Sequence, residues 1–300
     1  MSPGAIAWID GPAGGRWGRP EALAVPLDDR GLRLADGIFE TVLVGGGRPW
    51  LLAEHLQRWR SSAALLGLAP PPGERELAPR IATALERTGF GRADLGRRSR
   101  SWGALRLNWS RGSMAPGCGG IDLPPPGAPT PPPRLWLELR PAVPRFDPVG
   151  VIVSRTERRV AGSLLSRCKT FAYGGAIQAK REARGAGADD ALLESTAGGL
   201  CCGTTANLLV LRDGRWWTPP LAGGCLPGVM RGRALAMGLA QEAELTLADL
   251  RAAEATVLLN SLGCRPISRL EETPLRACSA EQAEGFWRLL LAEGVGSDPA

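Results

Sequence analysis

The sequence predicts an α+β protein of two domains, a small N-terminal α/β domain and a larger, β-rich C-terminal one. Three observations predict it. A chain of 300 residues is long enough to bury two modest cores. Its first third alternates strand-like and helix-like patterns, whereas strand-like runs dominate the second half. Between them, SMAPGCGGIDLPPPGAPTPPP (113–133) is too rich in proline and glycine to hold a regular element. The domains are expected to cover 1–120 and 121–300, with the boundary inside 113–133.

The elements follow in order. Residues 38–44 (IFETVLV) are rich in β-formers, Gly45 to Gly47 interrupt them, and PWLL (49–52) resumes the apolar run, which reads as a hairpin. Leu56, Ala63, Leu66 and the stem of Trp59 fall at helical spacing, so 53–68 is expected to be a helix, followed by another over 74–88. Residues 105–110 read as a strand closed by Arg111-Gly112. Beyond the proline-rich stretch, 135–139 and 149–154 are strand-like, 175–184 helical and 191–193 a short strand. In ANLLVLRDGRWWTPP two apolar runs flank Asp213-Gly214, a strong hairpin signal. A helix is expected over 231–244 and a strand over 255–259.

Composition narrows the partners. The net charge of +6 is spread along the chain without a run of five or six like charges, so a nucleic-acid partner is not expected and a small anionic substrate is. Neither a basic leader followed by an apolar segment nor eighteen uninterrupted apolar residues occurs, so a signal peptide and a membrane span are not expected and a cytoplasmic location is. Seven irregularly spaced cysteines without a CxxC pair, beside a single histidine, predict reduced thiols and no zinc site.

Lysine is scarce: 34 of the 36 basic residues are arginine, and only Lys169 and Lys180 are not. Arginine holds its proton at ordinary pH, whereas a desolvated lysine can shed it and attack a carbonyl. Lys169, in SRCKTFAYGG (166–175), is therefore a candidate nucleophile, with chance placement as the other reading. Lys180 stands with Arg181 and Arg184 on a helix and reads as part of a solvated face. LPGVMRGRAL (226–235) runs from a turn into a helix whose first amides could hold an anion. Arg58 follows His55 by three residues and shares its helix face, where simple surface coverage is the alternative.

Four ordered blocks carry a family likeness. DRGLRLADGIFETVLVGGGRPWLLAEHLQRW (29–59), the Lys169 segment, GGLCCGTTANLLVLRDGRWWTPPLAGGCLPGVMRGRAL (198–235) and LLNSLGCRP (258–266) resemble class IV aminotransferases, the fold-type IV pyridoxal-phosphate enzymes. Within that family the likeness is greatest to the aminodeoxychorismate lyases. The resemblance implies a two-domain fold-type IV architecture, a homodimer and pyridoxal 5'-phosphate (PLP) carried by Lys169, which also shuttles protons. It implies that Arg58 grips the cofactor phosphate with its planar fork. The amides of Val229 and Met230 would hold the same phosphate, and Asn260 and Ser261 would complete the cup. Arg111 and Phe39 match positions near the substrate, Arg111 as a carboxylate binder. Thr41 matches a threonine beside the reacting centre. Strand packing for Thr41 and edge solvation for Arg111 remain alternatives.

Two positions depart from the family pattern. The family carries a glutamate, five residues before the asparagine of the ANL block, that keeps the pyridine nitrogen protonated. Counting back five from Asn207 gives Cys202, and Gly198 stands where the motif expects glycine. A charge-assisted hydrogen bond contributes roughly 1.5–3 kcal/mol, so its loss is expected to weaken the cofactor as an electron sink. Glu194 is near in sequence, but strand alternation does not obviously bring it to that place. The second departure is Ala35, where the family has the first glycine of GDG. The expected activity is conversion of 4-amino-4-deoxychorismate to 4-aminobenzoate and pyruvate, a step supplying folate. The alternatives are a branched-chain or D-amino-acid aminotransferase of the same fold and a non-catalytic PLP- or metabolite-binding relative.

Overall fold

A computed structural model describes residues 4–11, 14–90, 102–115, 117–125 and 127–292. The chain forms two compact units, Met1–Val143 with Lys169–Ala172, and Pro144–Cys168 with Tyr173–Ala300.

In the first unit the strands β1 (Ile6–Ile9), β2 (Arg16–Gly18), β3 (Gly37–Gly45), β4 (Arg48–Pro49), β5 (Trp102–Ser110) and β6 (Arg134–Pro141) form one antiparallel sheet ordered β2-β1-β6-β5-β3-β4. Helices α1 (Arg30–Leu34), α2 (Leu52–Leu65) and α3 (Glu74–Thr88) complete it. Strand alternation sends Ile38, Val42 and Val44 to one face, where they meet Leu56, Trp59 and Ala63 of α2 and Leu77 and Ile81 of α3. Burial of each large side chain in this core contributes about 1.5–3 kcal/mol. Phe39 and Thr41 therefore stand on the opposite face, as do Arg106 and Asn108, their cross-strand partners on β5.

The proline-rich stretch does not separate the two units. It joins β5 to β6, which pair from Gly103↔Pro141 to Ser110↔Arg134, so the first unit continues to Val143. Composition shows where regular structure stops, but strand pairing decides which sheet takes the next strand. The second arm expected at 49–52 shrinks to the two residues of β4, because Leu51 takes a left-handed conformation (φ 53°) and α2 starts at Leu52.

The second unit contains β7 (Val149–Arg159), β8 (Asp190–Ser195), β9 (Leu200–Gly203), β10 (Asn207–Arg212), β11 (Arg215–Thr218), β12 (Ala240–Glu242), β13 (Ala255–Asn260), β14 (Gly263–Leu270) and β15 (Thr273–Pro274). Its helices are α4 (Gly174–Gly185), α5 (Val229–Ala236), α6 (Leu247–Ala252) and α7 (Ala280–Leu291). Pairing runs β12-β11-β10-β13-β14-β7-β8-β9, and the Asn207↔Cys202 pair returns β9 to β10. Six of these strands thus close into a ring around Leu192, Leu208, Val210, Leu258 and Ile267. Asp213 (φ 51°) and Gly214 (φ 69°) make the tight turn expected between β10 and β11. The helix expected over 231–244 stops at Ala236: Gly238 turns left-handed (φ 68°), its amide donates to the Leu235 carbonyl at 3.0 Å, and 240–242 become β12.

Candidate active site

Lys169 is held against the start of β3. β4 reaches only Val44 and Gly45, so the same edge of β3 near Gly37 accepts another segment. Residues 169–171 take that place: the Phe39 amide donates to the Lys169 carbonyl at 2.9 Å, Ile38 bridges Thr170, and the Phe171 amide donates to the Gly37 carbonyl at 3.1 Å. Gly37 is required here, because a Cβ would run into the Phe171 ring. The Lys169 Nζ lies 4.4 Å from the centre of the Phe39 ring, and the Arg106 Cζ lies 3.5 Å from the same centre. Phe171 stacks on Phe39 (6.3 Å, 24°) and tilts against Trp136 (5.4 Å, 43°). A cation beside an aromatic face gains about 0.5–2 kcal/mol, so this aromatic group steadies both positive side chains.

Arg106 escaped the sequence reading. It stands directly across from Thr41, and its Nε donates to the Asn108 Oδ1 at 2.8 Å. The signal that could have found it is one charged residue inside the apolar strand WGALRLNWS.

The core-facing side of β3 carries a second group. Glu40 and His55 are buried, and Arg58 is nearly so. Arg58 donates to both Glu40 oxygens, Nε to Oε1 at 2.8 Å and an Nη to Oε2 at 2.5 Å, while the His55 Nδ1 lies 2.7 Å from Oε2. Burial alone would raise the Glu40 carboxyl, but the Arg58 charge and the hydrogen bonds from His55 and Arg58 hold it at about 2. Burial pushes His55 below its ordinary value, against the upward pull of Glu40. Glu40 is thus ionised and His55 neutral at neutral pH.

Arg111 is committed to the scaffold on three sides. Its Nε donates to the Asp36 Oδ2 at 2.7 Å, and its two Nη groups donate to the Gly67 and Leu66 carbonyls at 2.8 and 3.1 Å. Burial would raise Asp36, yet the hydrogen bonds from Arg111 and Arg30 hold its carboxyl below the usual range. Arg111 and Arg30 also line a cavity of about 260 Å³ with Ser113, Leu123 and Pro131, which neither Lys169, Phe39 nor Arg106 borders. Asp29 of the same motif is buried and accepts from the Gly31 amide, the Ser110 hydroxyl and the Arg134 Nε at 2.8–3.0 Å, fixing the turn that leads into β3.

In the second unit Asn207 is the organising residue. It pairs with Cys202 on one side and Leu259 on the other, and its Nδ2 donates to the Leu226 carbonyl at 2.9 Å. Cys202, the turn before α5 and the end of β13 are thereby gathered around one side chain. Gly228 caps α5, and a Cβ there would strike the Asn207 Oδ1. The amides of Val229, Met230 and Arg231 have no carbonyl acceptor within the helix, the usual state of a helix start. The side chains of Val229 and Met230 are buried, so only their backbone could serve an anion. Asn260 closes the β13–β14 turn, accepting from the Leu262 amide at 2.8 Å and donating to the Thr205 carbonyl at 3.3 Å, with Ser261 inside the turn.

Cys202 lies in an apolar cluster with Cys201, Cys225, Ile152, Ala179 and Ala183. Hydrogen bonding with Cys202 and Cys225 pushes Cys201 above the ordinary thiol range. Its bond with Cys201, aided by Arg231 and Arg159, holds Cys225 below that range. Glu194 pairs with Arg158 at 3.2 Å, and Lys180 lies 3.5 Å from Asp190 on β8.

In the first unit a lysine fixed beside stacked rings suits the PLP aldehyde, and in the second a glycine-capped helix start suits its phosphate; Cys202 and Ala35 are the positions that depart from the family pattern. The amino-transferase class IV family matches residues 37–270, and the chain belongs to that family. It is therefore a PLP-dependent enzyme of the lyase and aminotransferase kind with the fold-type IV architecture. The bifunctional aminodeoxychorismate lyase / D-amino acid transaminase of Mycobacterium tuberculosis is 30% identical over 197 residues, 62% of this chain and 61% of that one. D-alanine aminotransferase of Listeria monocytogenes is 26% identical over 261 residues, 84% of each chain. A hypothetical aminotransferase from Mycobacterium tuberculosis, solved in its PLP-bound form, superimposes with a TM-score of 0.76 at 25% identity, covering 95% of this chain and 98% of that one. No helix among the described residues is long and apolar enough to cross a membrane.

Proposed function

We propose that the protein is a lyase that converts 4-amino-4-deoxychorismate to 4-aminobenzoate and pyruvate. The observation that carries this reading is the thiol of Cys202 paired across from Asn207, in the place of the family's carboxylate. Bound PLP supplies a sink for the electron pair left when a substrate carbon loses its proton, and a protonated ring nitrogen deepens that sink. Lys169 would hold the cofactor through Nζ. Freed by the substrate amine, Nζ would be the base that takes the proton from the amine-bearing carbon. The bond from the adjacent carbon to the enolpyruvyl oxygen breaks, that oxygen leaves with the electron pair, and the ring becomes aromatic. Such an elimination passes the pair on at once. Amine transfer must store it until a proton arrives at another carbon, which a weakened sink disfavours.

The other roles follow from position. Arg58 of the first unit would take the cofactor phosphate with its guanidinium, and in the second unit the amides of Val229 and Met230 and the Asn260–Ser261 turn would offer it further donors. Thr41 donates to the leaving oxygen. Phe39 walls the substrate ring, and Arg106, which shares that wall with Lys169, takes a substrate carboxylate in preference to the tethered Arg111. The assembly is a homodimer, to be checked by light scattering.

Pyruvate release from aminodeoxychorismate, measured beside keto-acid-dependent amine transfer, tests the reaction. Release should dominate, and faster amine transfer to a keto acid would replace the lyase by an aminotransferase. Borohydride reduction and peptide mapping should place the pyridoxyl group on Lys169. A label on Lys180, or none, would leave the mechanism without its base.

A further inference from the structure

We infer that Glu40, braced by His55, is a positioning residue that aims the Arg58 guanidinium at the cofactor phosphate; this rests on the reading of Arg58 just given. Packing does not explain Glu40. It sits on the core-facing side of β3 between Ile38 and Val42, completely buried, where an apolar residue would fill the space without the desolvation of a carboxylate. What the carboxylate adds is direction. Its two oxygens take one edge of the guanidinium, Oε1 from Nε at 2.8 Å and Oε2 from an Nη at 2.5 Å. A guanidinium is a rigid planar fork, so fixing one edge fixes where the opposite edge points. An arginine held in this way has less rotamer freedom to lose when it grips an anion.

His55 completes the arrangement. An ionised carboxylate only accepts hydrogen bonds, so the His55 Nδ1, 2.7 Å from Oε2, carries the proton and donates. His55 and Arg58, three residues apart, face Glu40 from the same side of α2. With the imidazole neutral, Glu40 and Arg58 cancel in charge. The trio therefore fixes the direction of the guanidinium without adding an excess of positive charge.

The full-length apoprotein, titrated spectroscopically with PLP and with pyridoxal, which lacks the phosphate, separates aim from stability. Glu40→Gln should weaken PLP binding about tenfold, as loss of an orienting partner does at other sites, and leave pyridoxal within twofold. Arg58→Ala should bring PLP down towards pyridoxal, and adding Glu40→Gln to it should change the PLP-to-pyridoxal ratio no further. If Arg58→Ala collapses that ratio while Glu40→Gln preserves it, the positioning role is wrong and the reading of Arg58 stands. If Arg58→Ala preserves the ratio, the reading of Arg58 fails and this inference falls with it. Equal losses of PLP and pyridoxal in Glu40→Gln would show a structural role only. Should Glu40→Gln not fold, Glu40→Asp keeps the charge but cannot span both donors, and the same selective loss is expected. His55→Gln should give a smaller loss in the same direction.

Discussion

Glu40 and Cys202 are both buried on strands, Glu40 in the first unit and Cys202 in the second, but their surroundings differ. Around Glu40 the chain has placed a guanidinium and an imidazole, each within 2.8 Å of a carboxylate oxygen. Around Cys202 stand Cys201, Cys225, Ile152 and small alanines of α4. Charge is buried only where its partners are built in beside it. Among the described residues the cations that reach this cluster are Arg159 and Arg231, which act on Cys225 and are already bonded to backbone carbonyls or to Glu242, so a carboxylate at position 202 would have to find its partner in the cofactor.

The most severe way to break this contrast is Cys202→Glu. Without cofactor the new carboxylate meets only arginines that are already engaged, and the apoprotein should lose about 3 kcal/mol or more by denaturant unfolding. Saturating PLP should recover part of that loss through the pyridine nitrogen. A deeper sink also makes amine transfer more accessible, so the ratio of amine transfer to pyruvate release should rise. A folded, PLP-loaded variant with an unchanged ratio would show that Cys202 does not face the ring. An apoprotein as stable as the parent would show that the thiol cluster tolerates charge, and the contrast with Glu40 would dissolve.

The same two regions differ in how much the sequence reveals. Lys169 is legible from its scarcity and its motif, and His55 and Arg58 declare a shared face by spacing. Their partner Glu40 does not, because β3 must pack on α2 before residues fifteen and eighteen positions apart can meet. Arg106 is one arginine among 34, and only the β3–β5 register sets it opposite Thr41. The helix α3 is readable to its ends because its apolar period is regular and Gly89 closes it. The closed ring of the second unit is not. It depends on β9, the four residues LCCG, which show no alternation, and on a single Asn207↔Cys202 pair. The break between units is hidden for a related reason: 113–133 marks a loop, but only pairing with β5 shows that β6 belongs before the break.

An intermediate effect sharpens the Glu40 side. His55 is the only histidine, and its folded-state pKa is lowered from 6.5. A lowered value means that the unfolded chain takes up this proton first. The stability is therefore complete above pH 6.5 and falls as the pH drops below it, by at most about 1.4 kcal/mol per pH unit. Glu40 behaves in the same sense at lower pH: its contribution is full above 4.5 and is lost as the pH falls towards 2. Denaturant unfolding between pH 7 and 5 should show the first slope, and His55→Gln should flatten it. An unchanged slope in that variant would mean that carboxylates, and not the burial of His55, govern the range.

The smallest effect concerns the entry to β3. Ala35 has φ 55° and ψ 24°, in the left-handed region, immediately before Asp36 and Gly37. That conformation costs an L-residue about 1–2 kcal/mol, which accounts for the family's preference for glycine there. Ala35→Gly removes the strain but loosens the unfolded chain, which offsets roughly 0.5–1 kcal/mol of the gain. A net stabilisation of about 0.5 kcal/mol is expected from the urea midpoint, with PLP affinity unchanged. The second half of that expectation matters more for the comparison. Ala35 lies beside Asp36, which Arg30 and Arg111 hold, whereas Glu40 depends on α2. If relaxing Ala35 alters PLP affinity, strain in the turn reaches the Glu40–Arg58 pair along β3, and the charged cluster is not the self-contained unit its hydrogen bonds describe. If only stability moves, the turn and the cluster are independent features of one strand.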